Sequence, residues 1–104
     1  LPVLTAIDQE GGIVRRLTDD LGLAARDLWP LDPSVAEQAF AARSALVAQA
    51  GVLINFGIVA DVTPDRASFI RPRTLGETPE AAAERVAAAV RGEQGTVLST
   101  LKHF

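Results

Sequence analysis

Short apolar runs that end in polar clusters recur three times along this chain, separated by Ala-rich stretches of helical character. Val3-Leu4-Thr5-Ala6-Ile7 is rich in β-formers and closes at Asp8-Gln9-Glu10-Gly11-Gly12, where a glycine pair lets the main chain turn sharply. Val52 to Val62 is continuous rather than alternating in polarity, as a strand covered on both faces of a parallel sheet requires. Thr96 to Leu101 is the third run, and Lys102-His103 stands at its tip.

The intervening stretches carry helix punctuation. Asp32-Pro33-Ser34 predicts a helix start with Asp32 as N-cap and Pro33 at the first helical position; Ser34 with Glu37 offers a competing capping box. Val35, Ala39, Ala42 and Leu46 recur at helical spacing, and Gly51 supplies the stop. Thr78-Pro79-Glu80 repeats this logic for a second helix running through Val86 and Val90 to Gly92. Residues 13–30 read mostly as loop with at most a short helical turn, and 63–76, with Pro64 and Pro72, as a long loop of the kind that carries function.

The order strand, helix, strand, helix, strand predicts an α/β fold of about three parallel strands with two crossover helices. Such a sheet has two open edges, to be paired by missing sequence or by another chain. The chain begins in a strand and stops directly after one, which predicts an excerpt of a longer protein.

Composition narrows the function classes. The 104 residues suffice for one domain and one modest core. A formal charge of −3 is too mild for a nucleic-acid binder, and no apolar run reaches the length of a membrane span. Without cysteine there is no disulfide framework and no thiolate metal site, and with His103 as the single histidine no His-based metal site; no metal or cofactor is expected. Gly11-Gly12 is not a dinucleotide fingerprint, and no phosphate-binding loop or serine elbow is present.

Chemistry therefore rests on the strand ends. Asp8, Glu10 and Asp61 are the carboxylates there, available for acid/base or glycosidic work, or else for capping loops and pairing with a nearby Arg. The basic set is Arg15, Arg16, Arg73, Lys102 and His103, which suits a polyol or anion site; His103 is a proton carrier, a hydrogen-bonding ligand or a satisfied structural residue. Trp29 and Phe69 either stack on a sugar face or fill the core.

These residues carry a resemblance. Asp8-Gln9-Glu10-Gly11-Gly12-x-Val14-x-Arg16-Leu17 is similar to the signature of family 3 glycoside hydrolases of the bacterial β-N-acetylglucosaminidase branch. Asn55-Phe56 with Asp61-Val62, Arg73-Thr74-Leu75-Gly76-Glu77-Thr78-Pro79 and Lys102-His103-Phe104 resemble three further segments of that family in order and spacing. The chain departs from the pattern at Ile13, usually basic, at Gly57-Ile58, usually Ala-Pro, and at Leu75, more often Phe.

The resemblance implies that residues 1–104 form a fragment of one catalytic domain, part of a TIM (β/α)8 barrel. It implies a retaining hydrolase that releases terminal β-linked N-acetylglucosamine from cell-wall-derived or similar amino-sugar glycosides. Asp8, Arg73, Lys102 and His103 would bind sugar hydroxyls, and Arg16 would touch the sugar or hold Asp8. The family's nucleophile and its acid/base pair would lie outside this sequence, so the chain alone is expected to bind but not to turn over. The other readings are a non-catalytic carbohydrate-binding or interaction module derived from the barrel, a β-glucosidase-type member of the superfamily, and an unrelated small α/β domain.

Overall fold

A computed structural model describes residues 3–103. Phe104, which closes the third motif, lies outside the described residues. The elements are β1 (Ala6–Ile7), α1 (Pro33–Gln49), β2 (Ile54–Val59), α2 (Pro79–Glu93) and β3 (Leu98–Lys102), with short 3-10 turns at Ala25–Leu28 and Arg71–Arg73. The strands pair in the order β1-β2-β3, all parallel. This is the expected α/β arrangement, a three-stranded part of a TIM-type barrel. Among the described residues no helix is long and apolar enough to cross a membrane.

Both helix starts follow the local chemistry of the sequence. Asp32 accepts from the Ser34 N–H at 2.9 Å, so it caps α1 ahead of the rival Ser34 box. Thr78 Oγ1 accepts from the Ala81 N–H at 3.2 Å and caps α2, again with Pro at the helix entry.

Packing departs from the sequence reading in three places. The face of α1 that is buried holds Ala36, Phe40, Arg43, Ser44 and Val47, one position on from the expected Val35, Ala39, Ala42 and Leu46. The helix is Ala-rich all round, so periodicity alone does not fix its phase; Phe40 does, by entering the core with Leu28, Ile58, Leu75, Ala88 and Ala89. Gly92 does not end α2. It lies inside the helix, where a Cβ would fall on the Glu37 carbonyl oxygen, and so lets α1 and α2 approach closely. β1 is shorter than Val3–Ile7, although Thr5 still accepts from the N–H groups of Leu53 and Ile54 at 3.2 and 3.0 Å.

The register between β2 and β3 shifts between Asn55 and Ile58, around Gly57. A Cβ at Gly57 would overlap the Asn55 amide and the Gln9 carbonyl, so the residue that replaces the usual Ala-Pro segment also fits the irregularity. Both helices share their core with Ile58 of β2, while Leu4, Phe56, Leu98 and Leu101 along the strands stand exposed.

Candidate functional site

All three strands deliver polar side chains at their C-terminal ends, which is where a barrel of this kind gathers its ligands. The first strand leads into Asp8, Gln9 and Glu10 and then turns back at Gly11 and Gly12, whose φ values of 87° and 61° belong to the left-handed region. The turn is tight: the N–H groups of Glu10 and Gly11 both donate to the Val14 carbonyl, at 3.0 and 3.1 Å. That geometry leaves Glu10 buried at the mouth of the sheet.

Glu10 is the hub of the site. Its carboxylate accepts from Arg73 through two atoms, Nε at 2.9 Å and Nη2 at 2.6 Å, the fork geometry of a bidentate ion pair. Lys102, the last residue of β3, crosses the end of β2 to reach Glu10 at 2.8 Å and Asp8 at 3.0 Å. Burial pushes the Glu10 carboxyl up, but the hydrogen bonds and charges of Arg73 and Lys102 outweigh burial and hold it below its usual 4.5. Glu10 raises the pKa of Arg73 in return, against the effect of burial, with added help from the charges of Asp61 and Asp8.

A second pair stands beside the first. Asp61, two residues past β2, accepts from the His103 main-chain N–H at 3.1 and 3.2 Å and from His103 Nδ1 at 2.6 Å. A carboxylate acceptor places a proton on Nδ1. Asp61, Arg73 and His103, with Phe69 and Ile70, line an open hollow of about 370 Å³. An apolar hollow of about 200 Å³ lies behind the Glu10–Arg73 pair, among Gly12, Ile13, Ala24, Phe40, Val59 and Leu75.

Of the residues singled out from sequence, Asp8, Arg73 and Lys102 come together around Glu10, and His103 joins them through Asp61 and the field at Arg73. Arg16 does not. Its side chain is exposed and makes no ion pair or hydrogen bond among the described residues, and its main-chain N–H donates to Gln9 Oε1 at 2.9 Å. The expected hold on Asp8 is therefore not made among the described residues. Trp29 is a structural tie: its Nε1–H donates to the Thr74 carbonyl at 2.8 Å, with the guanidinium groups of Arg26 and Arg71 over its ring. Phe69 is 81% exposed beside His103 and Asp61.

A buried polar layer lies beneath the site, and sequence reasoning missed it. Gln9 Nε2 donates to Asp20 Oδ2 at 3.0 Å, and Arg43 Nε donates to the same oxygen at 2.5 Å. Burial acts to raise the Asp20 carboxyl, yet Arg43, Gln9 and the Gly22 N–H hold it below 3.8. Asn55, in the middle of an apolar strand, spans to the main chain of Gln9 on one side and to Glu93 on the other. Burial pushes Glu93 up to about 7, against opposing hydrogen bonds from Ser99 and Asn55 and the charge of Arg43. The available signals were Asn55 interrupting an apolar run and Arg43 recurring with Ala36, Phe40 and Val47 on one helix face.

What this arrangement can do is bind a polyhydroxyl ligand. Among the described residues Asp8 engages only Lys102, through Oδ1, and is half-exposed, so its second oxygen is open to a hydroxyl. Glu10 is a poor proton donor, since two cations pin its ionised form.

The family model for the glycosyl hydrolase family 3 N terminal domain matches residues 1–104. A family 3 glycosyl hydrolase from Mycobacterium smegmatis superposes with a TM-score of 0.88 at 32% identity, covering 100% of this chain and 34% of that protein. A family 3 β-N-acetylglucosaminidase from a Paenibacillus species gives 0.88 at 32% identity, covering 100% of this chain and 21% of that one. A β-N-acetylhexosaminidase from Beutenbergia cavernae gives 0.86 at 28% identity, over 99% of this chain and 34% of that one. The chain thus spans between 21% and 34% of the length of these structures. No curated protein matches it.

Proposed function

The chain belongs to glycosyl hydrolase family 3, within that family's N-terminal domain, and from this premise we propose that the protein carrying it releases terminal β-linked N-acetylglucosamine from amino-sugar glycosides. Residues 1–104 are a fragment of a single barrel domain on this reading and supply half of the sugar site. Asp8, Arg73, Lys102 and His103 bind hydroxyls, Glu10 holds Arg73 and Lys102 in place, and the nucleophile and acid/base lie beyond these residues.

One observation carries the reading: Lys102 of β3 bridges Asp8 and Glu10 at the end of β1, at 3.0 and 2.8 Å, beside the Glu10–Arg73 fork. A sugar hydroxyl both donates and accepts, so it can satisfy a carboxylate and an ammonium held this close. Two of the similar proteins described above are glycosaminidases by name, which supports the choice of amino sugar.

The test is hydrolysis of chromogenic β-N-acetylglucosaminide and β-glucoside by the protein at its natural length, with Asp8→Asn alongside. The reading expects faster hydrolysis of the amino sugar and a rise in KM of tenfold or more for Asp8→Asn, roughly the worth of one charge-assisted hydrogen bond. Preference for the β-glucoside would overturn the substrate, and an Asp8→Asn enzyme with unchanged KM would overturn the site.

A further inference from the structure

Among the described residues β1 and β2 pair through Ala6↔Ile54 and Ile7↔Asn55, where their ladder ends. Gln9 is left beyond the last ladder rung. The Asn55 side chain supplies both of the partners that a neighbouring strand would have offered. Its Oδ1 accepts from the Gln9 N–H at 3.0 Å, and its Nδ2 donates to the Gln9 carbonyl at 3.0 Å. Gln9 stands between Asp8 and Glu10, so whatever fixes its peptide groups also fixes the two carboxylates on either side.

An amide can be turned over about its last bond with little change in shape, and only its hydrogen-bond partners decide which end faces which. Here the Gln9 main chain sets the choice, and Glu93 reinforces it and anchors the Asn55 side chain from behind. Its Oε1 takes a second hydrogen bond from Asn55 Nδ2 at 3.3 Å, which an inverted amide would not offer. Its Oε2 accepts from Ser99 Oγ at 3.2 Å, and Ser99 is the residue of β3 in register with Asn55. Glu93 therefore comes from the last turn of α2 to tie β3 and β2 together one layer below the sugar-facing side chains.

Packing does not call for a carboxyl at this position. Glu93 has no exposed surface, its single charged neighbour among the described residues is Arg43 on α1, and burial raises its pKa to about 7. A buried acid is expensive to keep, and one apolar residue of similar size would fill the space.

We infer that Glu93 and Asn55 are positioning residues for the proposed sugar site: Glu93 anchors the Asn55 amide from behind, and Asn55 clamps the Gln9 main chain, which aims Asp8 and Glu10. The inference rests on the proposed function, because it needs those carboxylates to face a sugar. It is one step removed from the ligand, as neither Glu93 nor Asn55 is placed where a sugar would touch it.

The experiment compares wild type, Glu93→Leu, Glu93→Gln, Asn55→Asp and Asp8→Asn in the protein at its natural length. It measures titration of free N-acetylglucosamine, KM and kcat for a chromogenic β-N-acetylglucosaminide, and thermal unfolding. Glu93→Leu removes the acceptor without creating a void and is expected to weaken sugar binding and raise KM by about tenfold or more, a typical cost of slight misplacement. kcat should change less than KM, because hydroxyl contacts are held in ground and transition states alike. Glu93→Gln keeps a carbonyl acceptor for Asn55 and a donor for Ser99, so it should restore binding to within about threefold, well inside a tenfold step.

Asn55→Asp keeps the shape and removes the Nδ2 donor; it should lose binding while folding normally, and it decides the matter if Glu93→Leu does not fold. Wild-type binding by Glu93→Leu and Asn55→Asp, while Asp8→Asn has lost it, would overturn the positioning inference and leave the proposed function standing. Wild-type binding by Asp8→Asn would remove the sugar site itself and this inference with it.

Discussion

Replacing Glu10 with Gln is the sharpest test of how the site is held. The carboxylate takes three charge-assisted contacts, two from Arg73 at 2.9 and 2.6 Å and one from Lys102 at 2.8 Å. Its own exposure is 5%, and the side chains of Arg73 and Lys102 are 17% and 14% exposed, so little water stands ready to replace it. Gln offers one acceptor oxygen where the carboxylate offers two, and its amide N–H groups must then face cationic donors. Removing one partner of a buried ion pair costs about 3–5 kcal/mol; because both cations retain some exposure, the lower end, about 3 kcal/mol, is the expected loss at pH 7.

The pH dependence has a definite sign. The folded-state pKa of Glu10 lies below 4.5, so the stabilisation from its ion pairs is complete above 4.5 and disappears as pH falls through the folded value. The gap between wild type and Glu10→Gln in chemical denaturation, followed by far-UV circular dichroism, should therefore be largest near neutrality and close in acid. A gap under about 1 kcal/mol at pH 7, the size of an exposed surface pair, would refute the view of Glu10 as a desolvated hub. So would a gap that persists undiminished at acid pH.

Three further outcomes follow from the packing. Glu93 has its folded pKa raised to about 7 from 4.5, so its ionisation weakens the fold progressively from pH 4.5 to 7; in denaturation, Glu93→Gln should gain on wild type across that window, by up to about 3 kcal/mol above pH 7, and parallel curves would contradict a buried ionising acid. Gly92→Ala would drive a Cβ into the Glu37 carbonyl oxygen and the Ala41 nitrogen, and should cost about 1–3 kcal/mol in the same assay, whereas an unchanged midpoint would mean that α1 and α2 are not packed at that distance. Phe40→Ala should cost about 3–5 kcal/mol, since Phe40 is 2% exposed at the centre of the core, and a loss below about 1 kcal/mol would show that the core lies elsewhere.

How much of this was legible in the sequence depended on whether the signal was local. Asp32-Pro33 and Thr78-Pro79 mark the helix starts because capping involves only residues a turn apart. The polar groups at the strand ends were legible for a similar reason, since an apolar run that stops at a charge shows where a sheet meets solvent. Glu10 was visible as a carboxylate but not as the hub, because its importance comes from Arg73 and Lys102, 63 and 92 positions away along the chain. Arg16 looked equivalent to its neighbours, and only the folded chain shows that its side chain is exposed and makes no ion pair among the described residues. The buried layer was hidden by the same logic: Asp20, Arg43, Asn55 and Glu93 acquire meaning only when four separate segments meet between sheet and helices.

The charge count at the strand ends says what kind of ligand this architecture favours. Asp8, Glu10 and Asp61 are three carboxylates set against the cationic side chains Arg73 and Lys102, with the His103 ring bonded to Asp61 through Nδ1. An anionic ligand would have to displace carboxylates already bonded to those cations, trading one set of charge-assisted bonds for another at no gain. A cation would find Glu10 committed at both oxygens. A neutral ligand carrying hydroxyl groups avoids both conflicts, because each hydroxyl can donate to the open oxygen of Asp8 or accept from the Lys102 ammonium without breaking the Glu10 pairs. The rigid part of the site is thus the buried fork at Glu10, and the adaptable part is its half-exposed rim at Asp8 and His103. That division is what orientation of a sugar ring requires: a fixed frame of charge, with hydroxyl-sized vacant positions at its edge.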